Sequence, residues 1–139
     1  MSRILLDSSV WLSFFTDEDA KHSEAERIVL RAFRSSNNIF IPDLIFAEII
    51  NVSSRLKSDP GYVDRLIRNL SSLEPIATIV VGGEAFWREY VPYNISRFKL
   101  KTSDSIICCY ATYLDVNELH TFDKKLAKAW SSISRQQYP

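Results

Sequence analysis

The chain is short of the residues from which many active sites are made. It has two histidines, two cysteines and three glycines in 139 residues. His22 and His120 lie far apart and no HxxxH occurs. Cys108 and Cys109 are adjacent, and on a helix neighbouring side chains point about 100° apart, so the pair does not grip one zinc ion. They read instead as small core residues. No CxxC spacing or disulfide framework is present, which fits a reducing cytosol. Gly61, Gly82 and Gly83 begin no GxxxxGK phosphate loop, and there is no GxSxG elbow. Zinc chemistry, triphosphate binding and serine-hydrolase chemistry are thereby set aside. Net charge is also missing: seventeen basic residues balance seventeen acidic ones, so no global field advertises a nucleic-acid partner. The longest apolar runs fall far below the ~20 residues of a membrane span, and the first residues lack a signal-peptide pattern. A soluble, cytoplasmic protein with no membrane partner is expected.

With 46% apolar and 12% aromatic residues, the chain is expected to form a single domain over residues 1–139 around one core. Ile4-Leu5-Leu6 is a continuous apolar run of the kind a doubly covered parallel strand shows, and Val10, Trp11, Phe14 and Phe15 follow at helical spacing. A second helix is predicted over about Ala20 to Arg34. Ile39-Phe40-Ile41 is a second strand closed by Pro42, and Asp43 is a plausible N-cap for a helix reaching about Leu56. A helix from Pro60 to about Leu73 precedes a strand from Ile76 to Val81. Helices over about Glu84 to Arg97 and Thr102 to Leu114 lead to a strand around Leu119 to Phe122 and a short helix from Asp123 to Trp130. Strands alternating with helices, each strand too apolar for a one-sided sheet, predict an α/β fold: a three-layer α/β/α sandwich with a central parallel sheet of four to five strands.

Four acidic residues stand at the edges of apolar segments: Asp7 after Ile4-Leu5-Leu6, Glu48 inside Ile45-Phe46-Ala47-Glu48-Ile49-Ile50, Asp104 before Ile106-Ile107, and Asp123 after Leu119-His120-Thr121-Phe122. Singly, Asp7 and Asp123 also fit helix N-caps, and Asp104 fits the dipole of a helix start. Glu48 is different, because its apolar flanks cover most of the helix circumference and no Lys or Arg lies within one turn. Two carboxylates ~4 Å apart repel by roughly 4 kcal/mol at an effective dielectric near 20, so such a cluster needs protons or a cation at neutral pH. An all-carboxylate set suits Mg²⁺ or Mn²⁺ and, through it, phosphate chemistry. Asp7 and Asp123 would meet if the first and fourth strands were neighbours across the switch point of the sheet.

Leu5-Leu6-Asp7-Ser8-Ser9-Val10-Trp11-Leu12, Ala47-Glu48-Ile49, Thr102-Ser103-Asp104-Ser105-Ile106-Ile107 and Leu119-His120-Thr121-Phe122-Asp123-Lys124-Lys125-Leu126 together resemble the PIN-domain ribonucleases, specifically their VapC-like toxin branch. The resemblance spans nearly the whole chain, with all four acids in order. It implies that Asp7, Glu48, Asp104 and Asp123 are the catalytic acids and ligate Mg²⁺ or Mn²⁺, supported by Ser9 and Thr121. It implies hydrolysis of an RNA phosphodiester by metal-activated water, leaving a 5′-phosphate and a 3′-hydroxyl. Residues 95–139 hold seven Lys/Arg against four Asp/Glu, and Arg97, Lys99, Lys101, Lys124 and Lys125 are candidates to track the RNA backbone.

The same resemblance implies a homodimer and a small antitoxin whose tail lies in an apolar groove, for which Trp11, Phe14, Phe15, Phe46 and Ile50 are candidates. The family's usual fifth strand has little support, since Ser131 to Pro139 offers only Ile133 in a polar stretch. A housekeeping PIN nuclease of RNA processing or decay, and a PIN module that binds but no longer cuts, are the competing readings. The intact acids weigh against the second.

Overall fold

The computed structural model describes residues 2–35, 38–56, 59, 61–72 and 77–137. Four parallel strands form the sheet: β1 Arg3–Leu6, β2 Asn38–Pro42, β3 Ala77–Val80 and β4 Glu118–His120, in the order β3-β2-β1-β4. Leu5 pairs with Phe40 on one side and Leu119 on the other. Ile4, Leu5 and Leu6 are almost wholly buried, as the continuous apolar run requires of a central strand covered on both faces. The chain steps outward from β1 through β2 to β3 and then returns to the opposite flank of β1. The switch point therefore lies between β1 and β4, and the crevice beyond their carboxyl ends is where such sheets bind ligands.

Helices α1 (Ser8–Phe14), α2 (His22–Ser35), α3 (Asp43–Leu56), α4 (Gly61–Ser71), α5 (Val91–Asn94), α6 (Thr102–Tyr113) and α7 (Lys124–Gln137) flank the sheet. The result is a three-layer α/β/α sandwich. Ile45 and Ile49 of α3 and Ile107 of α6 are fully buried, so both helices turn an apolar face inward. Cys108 and Cys109 are buried and unbridged, and burial pushes their thiols up to about 12 and about 11.

Three features differ from the sequence-based expectation. The helix predicted over 84–97 is broken: Phe86–Tyr90 winds as a π-helix, α5 follows, and Ile95–Arg97 tightens to a 3₁₀ turn. Pro92 has no N–H and its ring crowds the carbonyl four residues back, which a wider turn ahead of it relieves. The final helix runs to Gln137 instead of ending near Trp130, with Leu126, Trp130 and Ile133 buried on one face. The tail therefore extends a helix, and among the described residues there is no fifth strand. Trp11, expected to line a groove, is fully buried and stacked on Phe15, while Phe14, Phe15 and Phe46 pack partly buried against the core. Ile50 is likewise half-buried. The predicted start of α4 at Pro60 and the flanks of β3 at Ile76 and of α4 at Leu73 lie outside the described residues.

At the far edge, the Tyr110 hydroxyl donates to Asp43 Oδ1 at 2.5 Å, tying α6 to the start of α3. Gly82 sits against this pair. A Cβ there would lie 2.4 Å from the Tyr110 hydroxyl and 2.7 Å from Trp87 Nε1, so only glycine fits the approach.

Candidate active site

Asp7 leaves the end of β1, and its backbone N–H donates to His120 O at 2.9 Å, extending the β1–β4 ladder by one step. Its carbonyl receives the first N–H groups of α1, yet its side chain makes no capping hydrogen bond. Instead Asp7 Oδ2 accepts from the Ser9 hydroxyl at 3.1 Å and from the Thr121 hydroxyl at 2.7 Å. Asp7 is 5% exposed, so these two hydroxyls meet a buried carboxyl group that would otherwise lack partners. Thr121 Oγ1 also accepts from the Asp123 N–H at 3.0 Å, and Ser9 Oγ accepts from the Phe122 N–H at 3.1 Å. The two hydroxyls thus stitch the turn after β4 to the turn after β1.

Asp123 performs the capping role that its position suggested. Its Oδ1 accepts the Lys125 and Leu126 N–H groups at 2.9 and 3.1 Å, fixing the start of α7. Neither bond uses Oδ2. Asp104, in the first turn of α6, is buried, with the Lys101 ammonium 3.9 Å from Oδ2.

Glu48 projects from α3. Its Oε2 accepts from the Ser8 hydroxyl at 2.9 Å, whereas the buried Oε1 has no hydrogen-bond partner among the described residues. A buried lone carboxylate oxygen without a donor is costly. Ser8 was not singled out in the sequence, although a hydroxyl directly after Asp7 was the available signal.

The four acids feel one another. Burial holds the Glu48 carboxyl above its ordinary range, and the Asp7 and Asp104 charges add to that, opposed by the Ser8 hydroxyl and Lys101. Burial likewise raises Asp104, with Asp123 and Asp7 adding and Lys101 opposing. Among the described residues no three acidic, histidine or cysteine side chains converge as a formed metal-binding group. The donor set itself fits a hard divalent cation: carboxylates only, one oxygen orphaned, and mutual repulsion for a cation to relieve.

Around the acids the surface is basic. Asp104 and Asp123 line a cleft of about 500 Å³ with Lys99, Lys101, Lys124 and Lys125 on its walls. Arg97 stands apart from that cleft and lines a neighbouring groove with Lys99 and Lys125. His120 is held by Glu118 at 3.1 Å and His22 by the Ser13 carbonyl at 2.9 Å, so neither joins the acidic cluster.

The PIN domain family model matches residues 4–130. The chain belongs to the PIN domain family. No curated protein sequence matches it. Among solved structures it is similar to VapC20 of Mycobacterium tuberculosis, described as a sarcin–ricin loop cleaving toxin. The two chains are 12% identical over 91% of this chain and 94% of that one, with a TM-score of 0.71, so the likeness is one of fold. The sheet order and the crossover back to β4 described above are this PIN fold.

Proposed function

We propose that this chain is a divalent-metal-dependent endoribonuclease of the PIN family and the toxin of a toxin–antitoxin pair. The observation that carries the reading is Glu48 Oε1, a buried carboxylate oxygen with no donor, within electrostatic reach of Asp7 and Asp104. Asp7, Glu48, Asp104 and Asp123 would hold Mg²⁺ or Mn²⁺, which supplies Lewis-acid stabilisation and lowers the pKa of water. Ser9 and Thr121 orient Asp7, Ser8 orients Glu48, and the α7 N–H groups fix Asp123, so three of the four acids are positioned by hydrogen bonds, while Asp104 faces the Lys101 ammonium. Lys101 and Lys124 stand where a phosphodiester approaching Asp104 and Asp123 would pass. No side chain acts as a covalent nucleophile.

For the antitoxin, a cleft of about 370 Å³ bounded by Ser9, Leu12, Val52, Tyr62 and Phe122, linked to Asp7 through the Ser9 hydroxyl, replaces the buried Trp11 as the proposed seat of its tail. For the homodimer, exposed Trp87 and Tyr113 flank Phe86 and form an apolar surface suited to a second copy. Two buried free thiols suit a reducing cytoplasm.

Incubating purified protein with a mixed structured RNA tests the reading. Cutting with Mg²⁺ or Mn²⁺ that stops with EDTA and leaves 5′-phosphate ends is expected. No cutting with either metal, by protein shown to be free of any co-purifying partner, would refute it.

A further inference from the structure

Helices α3 and α6 carry two of the four acids, and a second pair of side chains joins the same two helices at another level. Glu48 on α3 and Asp104 in the first turn of α6 lie within electrostatic reach of each other. Asp43, the first residue of α3, accepts the Tyr110 hydroxyl at 2.5 Å. Glu48 comes five residues after Asp43 and Tyr110 six residues after Asp104, which is about 7.5 and 9 Å of helix at ~1.5 Å per residue. The two helices therefore pass in opposite directions, with the acids at one level and the tyrosine–aspartate bond at the other. Ile45 and Ile107, between those levels in sequence, are fully buried.

Tyr110 has little freedom to move. It is 1% exposed, its ring stacks on Phe86 with centroids 4.1 Å apart, and Gly82 comes so close to its hydroxyl that a Cβ would collide. Burial, and then the Asp43 carboxylate, raise the phenol above its ordinary range, so it remains a donor at neutral pH. Asp43 Oδ1 also accepts the Leu44 N–H at 2.8 Å, which seats the carboxylate on the first turn of α3. An O–H···O⁻ bond this short belongs to the strong class.

Resting on the metal-dependent reading above, we propose that Tyr110 and Asp43 are positioning residues for the metal site, their bond fixing α6 against α3 and so setting the separation of Glu48 and Asp104. Neither is itself a ligand. Two carboxylates that repel each other spread apart unless the backbones beneath them are held. The separation matters because a cation that satisfies the orphaned Glu48 Oε1 and also meets Asp104 needs both within coordination reach at once. Ser8 turns the Glu48 side chain but leaves α6 free, whereas Tyr110 belongs to α6 itself. Lys101 is exposed and 3.9 Å from Asp104, too loose a contact to take over that task.

The test measures Mn²⁺ binding by the full chain without RNA, from the electron paramagnetic resonance signal of free Mn²⁺, beside melting temperatures in EDTA. Tyr110→Phe keeps the ring, removes the bond and should weaken Mn²⁺ binding about tenfold. Asp43→Asn keeps a neutral acceptor for the same hydroxyl and should cost only about threefold. The two changes together should bind within about twofold of Tyr110→Phe alone, because they break one bond. Leu70→Val, a core truncation on α4, should lower the melting temperature yet leave the Mn²⁺ constant within about twofold of wild type. Wild type that binds Mn²⁺ while Tyr110→Phe keeps its affinity overturns the positioning role and leaves the metal site standing. A loss as large in Leu70→Val also overturns it, by showing general loosening. Should Tyr110→Phe fail to fold, Asp43→Asn decides alone, an unchanged constant overturning the role. Wild type that binds no Mn²⁺ overturns both the role and the metal reading.

Discussion

Thr121 Oγ1 donates to Asp7 Oδ2 at 2.7 Å, joining the turn after β4 to the turn after β1 at the switch point of the sheet. One hydroxyl thereby sets the direction of the most buried of the four acids, and its lone pair holds the Asp123 N–H at 3.0 Å. Two ends of the candidate site share a single small side chain.

Thr121→Val keeps the shape and removes both bonds. The expected cost is about 1–3 kcal/mol of stability, seen by chemical denaturation, and a cleavage rate at least about tenfold lower. Thr121→Ser should restore most of both. A valine variant as active as wild type would mean that Asp7 needs no such support.

Glu48 and Asp104 have raised carboxyl pKa values in the folded chain. The folded state therefore holds their protons more tightly than the unfolded state does. The associated stability is fully present below the unfolded values near 4 and is lost as pH rises through the folded values. In EDTA, the melting temperature of wild type relative to Glu48→Gln should fall as pH rises from about 4 to about 7. Mg²⁺ at neutral pH should recover it. A difference that is flat with pH would contradict the raised Glu48 carboxyl.

Adjacent glycines should behave oppositely. Gly82→Ala drives a methyl into the Tyr110 hydroxyl and Trp87 and should cost about 1–3 kcal/mol. Gly83→Ala meets nothing within 4 Å and should stay within about 0.5 kcal/mol of wild type. Paired thermal melts decide between them.

The site was legible because strand ends are. Ile4-Leu5-Leu6 announces a buried central strand, so the acid that follows it must stand at the carboxyl edge, and the same holds for Asp123 beyond β4. Glu48 showed itself by the apolar residues around it. The parallel sandwich followed from strands with no polar alternation, and the four to five strands expected are four among the described residues. What the sequence concealed depended on contacts between distant segments. Ser8 reaches Glu48 across forty residues, Tyr110 reaches Asp43 across sixty-seven, and neither pairing leaves a local pattern. The final helix was read too short because polar residues 131–137 hide the single apolar contact, Ile133, that carries it onward.

Cleavage of a structured RNA in Mg²⁺ by wild type and by Asp7→Asn tests the acidic cluster most directly. Wild type should cut and the variant should not, while in EDTA the variant should melt at the same temperature or higher, one buried repulsive charge having been removed. An Asp7→Asn protein that cuts as fast as wild type would remove Asp7, and the arrangement built around it, from the chemistry.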